Sequence, residues 1–421
     1  MLADSAGFGG PCAAKAAHEV PRGSQRMTAR TTQTAAQTAA QTAVEAAMDP
    51  AGSDQRPLRV LHFVSGGFSG ATSVATTLVR AAADSPHQRA WLVLRRKRLT
   101  DPARVQALRD AELQVELVPG WSRLATVWCL VRLCWRLRPD VLVAHGFSEH
   151  LWGRYAGWLA GVPALVHVEH NTRERYGLWR LLQARWLARR TARIVGCSEG
   201  VRRVLADLGF PPDRVTAIPN GVAIEPFAAA DAHPYAQRLP GLVMVARFSG
   251  QKDHATLLQA LALLSHRGLR PSLELVGTGS ARHRRRAEAM VRSLGLSGQV
   301  HFAGHSNEVP LLLMRHQICV LSTHYEGMPL ALVEGMVAGC AVVGSAVPGV
   351  QELIADGEDG RLVPPRDPAA LADVLESLLR DPARAAELAA RARARSLVEF
   401  SRARMTAGYE AMLLGLDRHP D

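Results

Sequence analysis

Lysine is the scarcest charged residue of the sequence. Of 50 basic residues only three are lysine, namely Lys15, Lys97 and Lys252. The net charge of +12 is therefore carried almost entirely by arginine. That charge is compatible with nucleic acid, anionic lipid or phosphorylated substrates. Because the arginines are spread over many predicted helices, without an aromatic-studded basic stripe, we expect no nucleic-acid partner. In so arginine-biased a chain, Lys252 calls for a specific explanation.

Cysteine is scattered, and long apolar runs are missing. None of the six cysteines forms a Cys-x-x-Cys pair, which argues against a zinc site or a disulfide frame and favours reduced, buried thiols in a cytoplasmic protein. The longest apolar runs, such as residues 124–131, fall far short of the roughly 20 residues that span a bilayer. No transmembrane helix is predicted.

Several ligand motifs are also absent. There is no Asp-x-Asp pair and no obvious carboxylate set beside the strand histidines, so we expect no metal and no cofactor. The segment "FVSGGFSGATS" is neither Gly-x-Gly-x-x-Gly nor a Walker loop, which excludes the dinucleotide and P-loop interpretations. Its turn, with Gly66, Gly67 and Gly70, is compatible with close approach to a ligand or with a plain strand-to-helix turn.

The length of 421 residues predicts two domains. Residues 1–55 contain the low-complexity tract "TTQTAAQTAAQTAVEAAM" and are predicted to be a disordered tail, or sequence upstream of a later start at Met27 or Met48. From Leu58 onward, short β-rich runs alternate with helical stretches, which is typical of parallel sheets covered by helices on both faces.

Two such units follow each other. The first predicted set of strands is "LRVLHFVS", "WLVLRR", "LQVELVP", "DVLVAHG", "ALVHVEH", "RIVGCS" and "RVTAIPN"; the second is "LVMVARF", "SLELVGTG", "VHFAG", "ICVLST", "AVVGSA" and "GRLVP". We predict an α/β fold of two doubly wound, Rossmann-like domains facing a central cleft. Their bounds are residues 56–222 and 223–399, and residues 400–421 are expected to cross back and brace the first domain.

The stretch "HYEGMPLALVEGMVAGC" predicts a helix over residues 329–338, begun by Pro329. The free backbone N–H groups of residues 327–330 would form an anion site there. Glu326 before the helix and Glu334 within it suit hydroxyls on either side of a bound phosphate. The alternative is that Glu334 pairs with an arginine of a neighbouring helix and Glu326 is an ordinary loop carboxylate.

The segment "VARFSGQKDHATLLQAL" places Arg247 at a strand end and Lys252 before a helix. Two cations one loop apart suit a diphosphate, although a solvated loop is the simpler interpretation. In the first unit, His145 and His170 end two strands, and alternation puts His167 and Glu169 on one strand face. His170, at the very end, is the residue expected to reach the cleft; otherwise it is a structural histidine.

Residues 122–138, "SRLATVWCLVRLCWRLR", predict a helix with Trp128 and Trp135 one heptad apart and with Arg132 and Arg136 nearby. Such a helix suits an anionic membrane surface. It equally suits packing on the sheet with its arginines extended to solvent.

Together these motifs resemble the retaining glycosyltransferases of the GT-B fold, in glycosyltransferase family 4 (the glycosyl transferases group 1). The resemblance is strongest from Leu242 to about Tyr409, through "VARFSGQKDHATLLQAL", "LVGTGS", "VHFAGHSNEV", "STHYEGMPLALVEGMVAG" and "VPGVQELIADGEDGRLVPPRD". The Glu326 to Glu334 spacing matches the family's Glu-x7-Glu signature. In the first unit, "SGAT", "VAHG", "VEHN" and "IPNGV" match more loosely.

The resemblance implies roles for these residues. Arg247 and Lys252 would neutralise the diphosphate of a nucleotide sugar, Glu326 would hold the donor sugar, Glu334 would hold the ribose, and His170 would lie beside the reacting centre. Gly70 would lie near the diphosphate. The remaining substrate-binding positions implied by the matched motifs are His145, Asn220, Gly277, Gly327, Met328, Pro329 and Leu330.

The expected activity is retaining transfer of a hexose from a UDP- or GDP-sugar to a saccharide or lipid-linked acceptor, in surface polysaccharide or glycolipid biosynthesis. The alternatives are a GT-B-fold sugar-nucleotide epimerase and a non-catalytic sugar-nucleotide-binding protein. We expect a cytoplasmic enzyme and leave peripheral contact with the inner face of the cell membrane open.

Overall fold

The structure is a computed structural model that describes residues 56–98, 100–172 and 176–416. The predicted low-complexity tail, residues 1–55, lies outside the described residues. Within the described part of the chain, no helix combines the length and the apolar character needed to cross a bilayer.

The first domain is built on a seven-stranded sheet. Its strands are β1 (Leu58–Ser65), β2 (Gln88–Arg95), β3 (Val115–Val118), β4 (Val141–His145), β5 (Ala164–Glu169), β6 (Arg193–Gly196) and β7 (Val215–Ala217). They pair in the order β3-β2-β1-β4-β5-β6-β7, and every pair is parallel. Because both faces are covered, the strands are continuous apolar runs; all five residues of β4 are buried.

Six helices connect these strands. They are α1 (Gly70–Ala83), α2 (Pro102–Asp110), α3 (Arg123–Leu137), α4 (Phe147–Leu159), α5 (Leu178–Ala188) and α6 (Glu199–Asp207). Side chains alternate along β1, so Val60 and Val64 share a core with Val74 of α1, whereas Leu61 and Phe63 pack with α3. The sheet therefore separates α1 from α3, as in a doubly wound fold.

The second domain repeats this plan with six parallel strands. They are β8 (Leu239–Val245), β9 (Leu273–Val276), β10 (Val300–Gly304), β11 (His316–Leu321), β12 (Ala341–Ser345) and β13 (Arg361–Val363), in the order β10-β9-β8-β11-β12-β13. Its helices are α7 (His254–His266), α8 (Ala281–Ser293), α9 (Val309–Arg315), α10 (Leu330–Val337), α11 (Pro348–Gln351), α12 (Pro368–Arg380) and α13 (Pro382–Glu399). Two 3-10 helices, Glu225–Ala232 and Tyr235–Gln237, lead into β8.

The last described helix, α14 (Arg402–Leu414), returns to the first domain. Met405, Tyr409 and Leu413 are buried in the same core as the α1 face of the first sheet. An isolated parallel bridge between Val222 and Ser401 lies where the chain crosses back. The first domain is thus assembled from two separated parts of the sequence.

The prediction of two doubly wound α/β units is confirmed. Each of the thirteen strands overlaps one of the apolar runs that predicted it. The helix predicted over residues 329–338 is α10, which starts one residue later because Pro329, with extended backbone, is its N-cap rather than its first residue. The helix predicted over residues 122–138 is α3, with Ser122 as N-cap.

Candidate active site

Two loops of the second domain lie side by side beyond the carboxyl ends of β8 and β11. Gln251 Nε2 donates to the Tyr325 carbonyl over 2.8 Å, and Lys252 forms an antiparallel bridge with Thr323. Asp253 then caps α7 by accepting from the backbone N–H of Thr256. Lys252 is therefore fixed from both sides, by a neighbouring loop and by a capped helix.

Lys252 and Glu326 form an ion pair at the centre of these loops. Lys252 Nζ lies 2.5 Å from Glu326 Oε1, and the Thr323 hydroxyl donates to the same oxygen over 2.9 Å. Both charged side chains are largely buried. The partner that a buried Glu326 requires is thus a lysine in a chain that has only three.

The backbone after this ion pair is held by the first domain. Thr172 Oγ1 donates to the Glu326 carbonyl over 2.8 Å, and Ser198 Oγ donates to the Gly327 carbonyl over 2.9 Å. The backbone N–H of Asn220 points at the Met328 sulfur, 3.1 Å away. The loop at residues 326–328 is therefore a junction between the two domains.

Gly327 is the closest point of that junction. A Cβ on Gly327 would lie 2.1 Å from the His170 carbonyl oxygen and 3.0 Å from Cys197 Sγ. Real Cβ atoms do not approach a carbonyl that closely, so only glycine fits without a shift of one domain. The structure thereby brings His170 and Glu326, which the sequence places far apart, to adjacent positions.

His170 stands at the end of a chain of three histidines. His62 Nδ1 lies 3.0 Å from His145 Nε2, and His145 Nδ1 lies 3.3 Å from His170 Nε2. Burial lowers the pKa of His62 to about 3 and that of His170 to about 4. The pKa of His145 is lowered by burial and then by its two histidine neighbours. All three rings are consequently neutral at pH 7, so His170, directly after β5, offers hydrogen-bonding nitrogens without charge.

The amino end of α10 follows the junction directly. The backbone N–H groups of Leu332 and Val333 bond to the Pro329 carbonyl, as expected in a first helical turn. The earlier N–H groups of such a turn have no acceptor within the helix, which leaves the positions from Gly327 to Leu330 suited to an anion. Beside Met328, the buried Oδ1 of Asn220 has no hydrogen-bond partner among the described residues and could accept from a ligand hydroxyl.

Glu334 lies one turn further along α10. Burial raises the pKa of Glu334 to about 7. Among the described residues its carboxylate has no hydrogen bond or ion pair to another side chain, so the alternative of an arginine partner is wrong. A half-buried carboxylate without a protein partner is suited to accept hydrogen bonds from a ligand hydroxyl.

The remaining predicted site residues follow strands of the two sheets. Arg247 follows β8 and is exposed. Gly277 has a φ of 138°, and a Cβ there would lie 2.3 Å from the Ala246 carbonyl, which explains the glycine in "LVGTGS". Gly70 is the first residue of α1 and is exposed, with open space where a Cβ would stand.

Sequence reasoning missed the polar residues that hold this geometry. Thr172 and Ser198 donate to backbone carbonyls that are 154 and 129 residues away in sequence, so no local pattern connects them. Thr323 donates to Glu326 only three residues later, but its segment carries no recognisable turn motif. His62 was also missed, although a histidine inside the apolar run "LRVLHFVS" was a signal for a buried polar contact.

One expectation about metals needs correction. His150, His167 and Glu169 bring ligand atoms within 4.8 Å of one another, so the strand histidines do have a carboxylate nearby. Sequence spacing hid this set because His150 comes from α4 and the other two from β5. The buried guanidinium of Arg154 donates to His150 Nδ1 over 2.7 Å, and the His150 and His167 rings stack at 4.1 Å.

The positive charge of Arg154 beside His150 disfavours a metal cation at this cluster, although both buried ring nitrogens of His167 lack a hydrogen-bond partner among the described residues. Burial lowers the pKa of Arg154 to about 10, which still leaves it charged at pH 7 beside any cation. The Tyr176 hydroxyl adds a further contact to Glu169 Oε2 at 3.5 Å. No metal is assigned to these residues.

Family models match both domains. The model described as Glycosyltransferase Family 4 matches residues 68–226, and the model described as Glycosyl transferases group 1 matches residues 227–395. The boundary between the two matches falls in the 3-10 helix Glu225–Ala232, between the two sheets. Each model therefore covers most of one doubly wound unit; β1 precedes the first match.

Individual proteins agree with this assignment. "Putative glycosyltransferase EpsF" of Bacillus subtilis is 30% identical over 299 residues, covering 67% of this chain and 77% of that protein. The Escherichia coli UDP-Gal:alpha-D-GlcNAc-diphosphoundecaprenol alpha-1,3-galactosyltransferase is 26% identical over 268 residues, covering 59% of this chain and 68% of that protein. Among solved structures, Anabaena Alr3699/HepE in complex with UDP and glucose superposes with a TM-score of 0.74 at 21% identity, over 85% of this chain and all of that one.

The two doubly wound parallel sheets and the superposition on the Anabaena structure identify the GT-B fold. The family models cover the two domains in succession, and the EpsF match extends across most of both chains. The chain belongs to glycosyltransferase family 4, the glycosyl transferases group 1.

Proposed function

We infer that this protein is a retaining hexosyltransferase that uses a UDP- or GDP-linked sugar and a saccharide or lipid-linked acceptor. Its place would be in surface polysaccharide or glycolipid biosynthesis. The observation that carries the proposal is the buried Lys252–Glu326 ion pair, which is held against His170 of the opposite domain through Gly327. Because desolvation offsets most of the attraction within a buried ion pair, net stability is a weak reason for this arrangement, which favours a role in ligand binding.

The chemistry follows from charge and position. The donor diphosphate would lie at the amino end of α10, where Arg247 and Lys252 neutralise its charge and stabilise the departing phosphate. Glu326 would then exchange part of its bond to Lys252 for hydroxyls of the donor sugar, and Glu334 would accept from the ribose. His170, neutral at pH 7, would hydrogen-bond near the reacting carbon without repelling or attracting the phosphate.

Retention would come from attack on the same face of the sugar, with the departing phosphate accepting the proton of the acceptor hydroxyl. In that case catalysis needs positioning and leaving-group stabilisation rather than an acid and base pair of carboxylates. Glu326 fits a positioning role because its Oε1 is already bound by Lys252 and Thr323 and is therefore a poor general base.

The substrate class is supported by relatives. The name of the Escherichia coli protein specifies a UDP-linked galactose and a diphosphoundecaprenol-linked acceptor, and the Anabaena structure contains UDP and glucose. We extend only the chemical class to this chain: a nucleotide sugar as donor, and a glycan, free or lipid-linked, as acceptor.

The first test is a thermal-shift screen of the full chain against UDP-, GDP- and ADP-sugars, since a bound donor raises the midpoint with the logarithm of its saturation. We expect one nucleotide class to stabilise the wild type and Lys252→Ala to lose that shift. Arg380→Ala is the matched control, because Arg380 is an exposed cation of the same domain paired with Glu376. No stabilisation by any nucleotide sugar would contradict the proposal.

The second test separates transfer from the alternatives. The nucleotide sugar that stabilises the protein is incubated with and without a pool of polyprenyl-diphosphate-linked and free oligosaccharides. We expect consumption that depends on the acceptor. Conversion of the sugar without acceptor would show an epimerase, and binding without turnover under every condition would show a sugar-nucleotide-binding protein.

A further inference from the structure

The outer face of the first domain exposes an unusual amount of aromatic surface. All eight tryptophans of the chain lie between residues 91 and 186. Trp121 is 85% exposed and Trp179 is 77% exposed. In the described part of the second domain, the exposed large apolar side chains are Leu239, Leu311 and Val398, and none is aromatic. The aromatic surface therefore belongs to one domain and not to the chain as a whole.

Helix α3 carries a complete outward stripe. Leu124, Trp128 and Trp135 are exposed at four- and seven-residue spacings, whereas Leu130 and Cys134 on the opposite side are buried against the sheet. The spacing keeps the exposed residues on one side of a helix with 3.6 residues per turn. The helix is thus apolar on both sides, and only one side has a partner within the described residues.

Helices α4 and α5 extend this stripe. Trp179, Leu182 and Trp186 of α5 are exposed at three- and four-residue spacings. Trp158 of α4 meets Trp186 edge to face, with ring centroids 5.2 Å apart. On its other side α4 is tied to α3 by Arg123, whose guanidinium stacks on Trp152 at 5.4 Å. The three helices form one layer on one face of the sheet, so their solvent sides form a continuous outer face.

The charges on helices α3 and α5 have one sign. Helix α3 contains three arginines and α5 contains two, and neither helix contains an acidic residue. Several cations lie over the rings, with Arg132 at 4.8 Å from Trp128 and Arg190 at 4.1 Å from Trp186. Aromatic rings with cations stacked over them, on helices without acidic residues, match the boundary between acyl chains and anionic headgroups.

A basic cavity adjoins the face at the amino end of α3. It measures about 680 Å³ and is lined by Trp121 together with Arg96, Lys97 and Arg98, which follow β2. Arg96 and Arg98 have no ion-pair partner among the described residues. A lipid phosphate beside Trp121 would therefore meet Arg96 and Arg98 as uncompensated cations, whereas Lys97 Nζ lies 3.5 Å from Glu149 Oε1.

We propose that the outer face of α3, α4 and α5 docks on an anionic membrane surface, with its tryptophans inserted at the headgroup boundary and Arg96, Lys97 and Arg98 contacting lipid phosphates. Apolar insertion and electrostatic attraction act together, since one signal alone gives only marginal membrane binding. The inference concerns a surface outside the candidate active site and stands whether or not the proposed transfer reaction is correct.

The test uses the full-length protein and sedimentation with vesicles of phosphatidylcholine, with and without phosphatidylglycerol. We expect binding to the anionic vesicles that weakens at high salt, because the Debye length shortens. Intrinsic tryptophan fluorescence should shift to the blue on binding and be quenched by brominated lipid. No binding to phosphatidylglycerol vesicles at low salt would overturn the proposal.

Variants separate the two contributions. Replacing Trp121, Trp128 and Trp179 together by serine should weaken vesicle binding at least about tenfold, because each removes apolar area from the inserted face. The matched control is Leu311→Ser with Val398→Ser, exposed apolar residues of the second domain, which should bind vesicles as the wild type does. Equal binding by the tryptophan variant would overturn the proposal.

The charge contribution has its own variant. Arg96→Gln with Arg98→Gln should remove most of the preference for phosphatidylglycerol and flatten the salt dependence, while Arg380→Gln should do neither. An exposed apolar face could instead bind a second copy of the chain. Sedimentation equilibrium of the wild type tests for such a dimer. A dimer that the tryptophan variant dissociates, together with no vesicle binding, would show an interface between copies and overturn membrane docking.

Discussion

The order β3-β2-β1-β4-β5-β6 in the first sheet is repeated as β10-β9-β8-β11-β12-β13 in the second. The two domains nevertheless place different ionisable side chains beyond the ends of these strands. The first contributes three neutral histidines whose pKa values are lowered by burial. The second contributes two glutamates, one paired with Lys252 and one with a raised pKa. The common scaffold therefore sets where ligands can lie, and the loops after its strands decide which charges meet them.

The domains also differ on their outer surfaces. The first presents aromatic rings and arginines on α3 and α5, whereas the exposed apolar residues described in the second are isolated aliphatic ones. In our proposals the second domain binds the donor and the first brings the enzyme to its acceptor. Substitutions within one domain test its side of this comparison, and a substitution at the junction tests the contact between the two.

The largest expected effect is on the second domain's ion pair. Lys252→Ala should lower the transfer rate by about a hundredfold to a thousandfold, as expected when a stabiliser of leaving-group charge is lost. It should also destabilise the fold by about 3 kcal/mol or more, because Glu326 is left buried without its cation. Initial rates and urea unfolding measure the two effects.

A second substitution separates stability from catalysis. Adding Glu326→Gln to Lys252→Ala removes the uncompensated charge, so we expect much of the lost stability to return while the rate stays low. If the double variant transferred sugar at the wild-type rate, the ion pair would be structural and the site assignment wrong.

The first domain's histidines predict a loss of stability in acid. The pKa values of these histidines are lower in the folded protein than in the unfolded chain. Between pH 6.5 and about 4 they are therefore protonated in the unfolded chain but neutral in the folded domain. Stability should therefore fall as the pH falls, by about 1.4 kcal/mol per pH unit for each such histidine. Urea unfolding of wild type and His62→Gln from pH 7 to pH 5 measures the slope, which the variant should reduce by one histidine's share. An unchanged slope would mean that His62 does not titrate as described.

Glu334 predicts the opposite sign in the second domain. Its pKa is raised above the unfolded value, so the unfolded chain releases its proton first and stability falls as the pH rises from about 4.5 to about 7. Glu334→Gln should therefore stabilise the ligand-free protein by up to about 3 kcal/mol at pH 8 and by little at pH 5. It should also weaken donor binding. Thermal midpoints with and without nucleotide sugar measure both; a stabilisation independent of pH would contradict a titrating Glu334.

The smallest effect is expected at the junction between the domains. Gly327→Ala places a Cβ 2.1 Å from the His170 carbonyl oxygen, so one side of the junction must shift by about an ångström, at a cost of about 1 to 3 kcal/mol. We expect weaker donor binding and a lower rate with an intact fold. Gly298→Ala is the control, because its Cβ would point into open space. Equal behaviour of the two variants would show that the close approach is unimportant.

Local patterns predicted the sheets because parallel strands buried on both faces are continuous apolar runs, and all thirteen could be located from such runs. Lysine scarcity likewise singled out Lys252. The sequence could not show that Lys252 pairs with Glu326, since the two are 74 residues apart and meet only after two loops fold together. Nor could the sequence show that His150 contacts His167, because one lies on a helix and the other on a strand. Their relative positions are set only when the helix packs on the sheet.

The proposed docking face shows the same limit of sequence-based prediction. The sequence placed Trp128 and Trp135 on one helix and left its partner open. Whether an apolar stripe of a helix faces the sheet or solvent depends on how the helix packs, which the sequence does not show. Helix α3 has one apolar stripe buried against the sheet and a second one exposed to solvent. The contribution of α5 became visible only when the fold placed it in the same layer.

The return of α14 has a consequence for the order of folding during synthesis. A ribosome releases all of β1 to β7 long before residues 402–414, yet Tyr409 fills the core beneath the first sheet. Until that helix emerges, the nascent first domain exposes an apolar groove, while the second domain has all of its own strands and can fold. The domain made first is therefore completed last, and a chain truncated before Arg402 should be held by chaperones or aggregate instead of yielding an isolated domain.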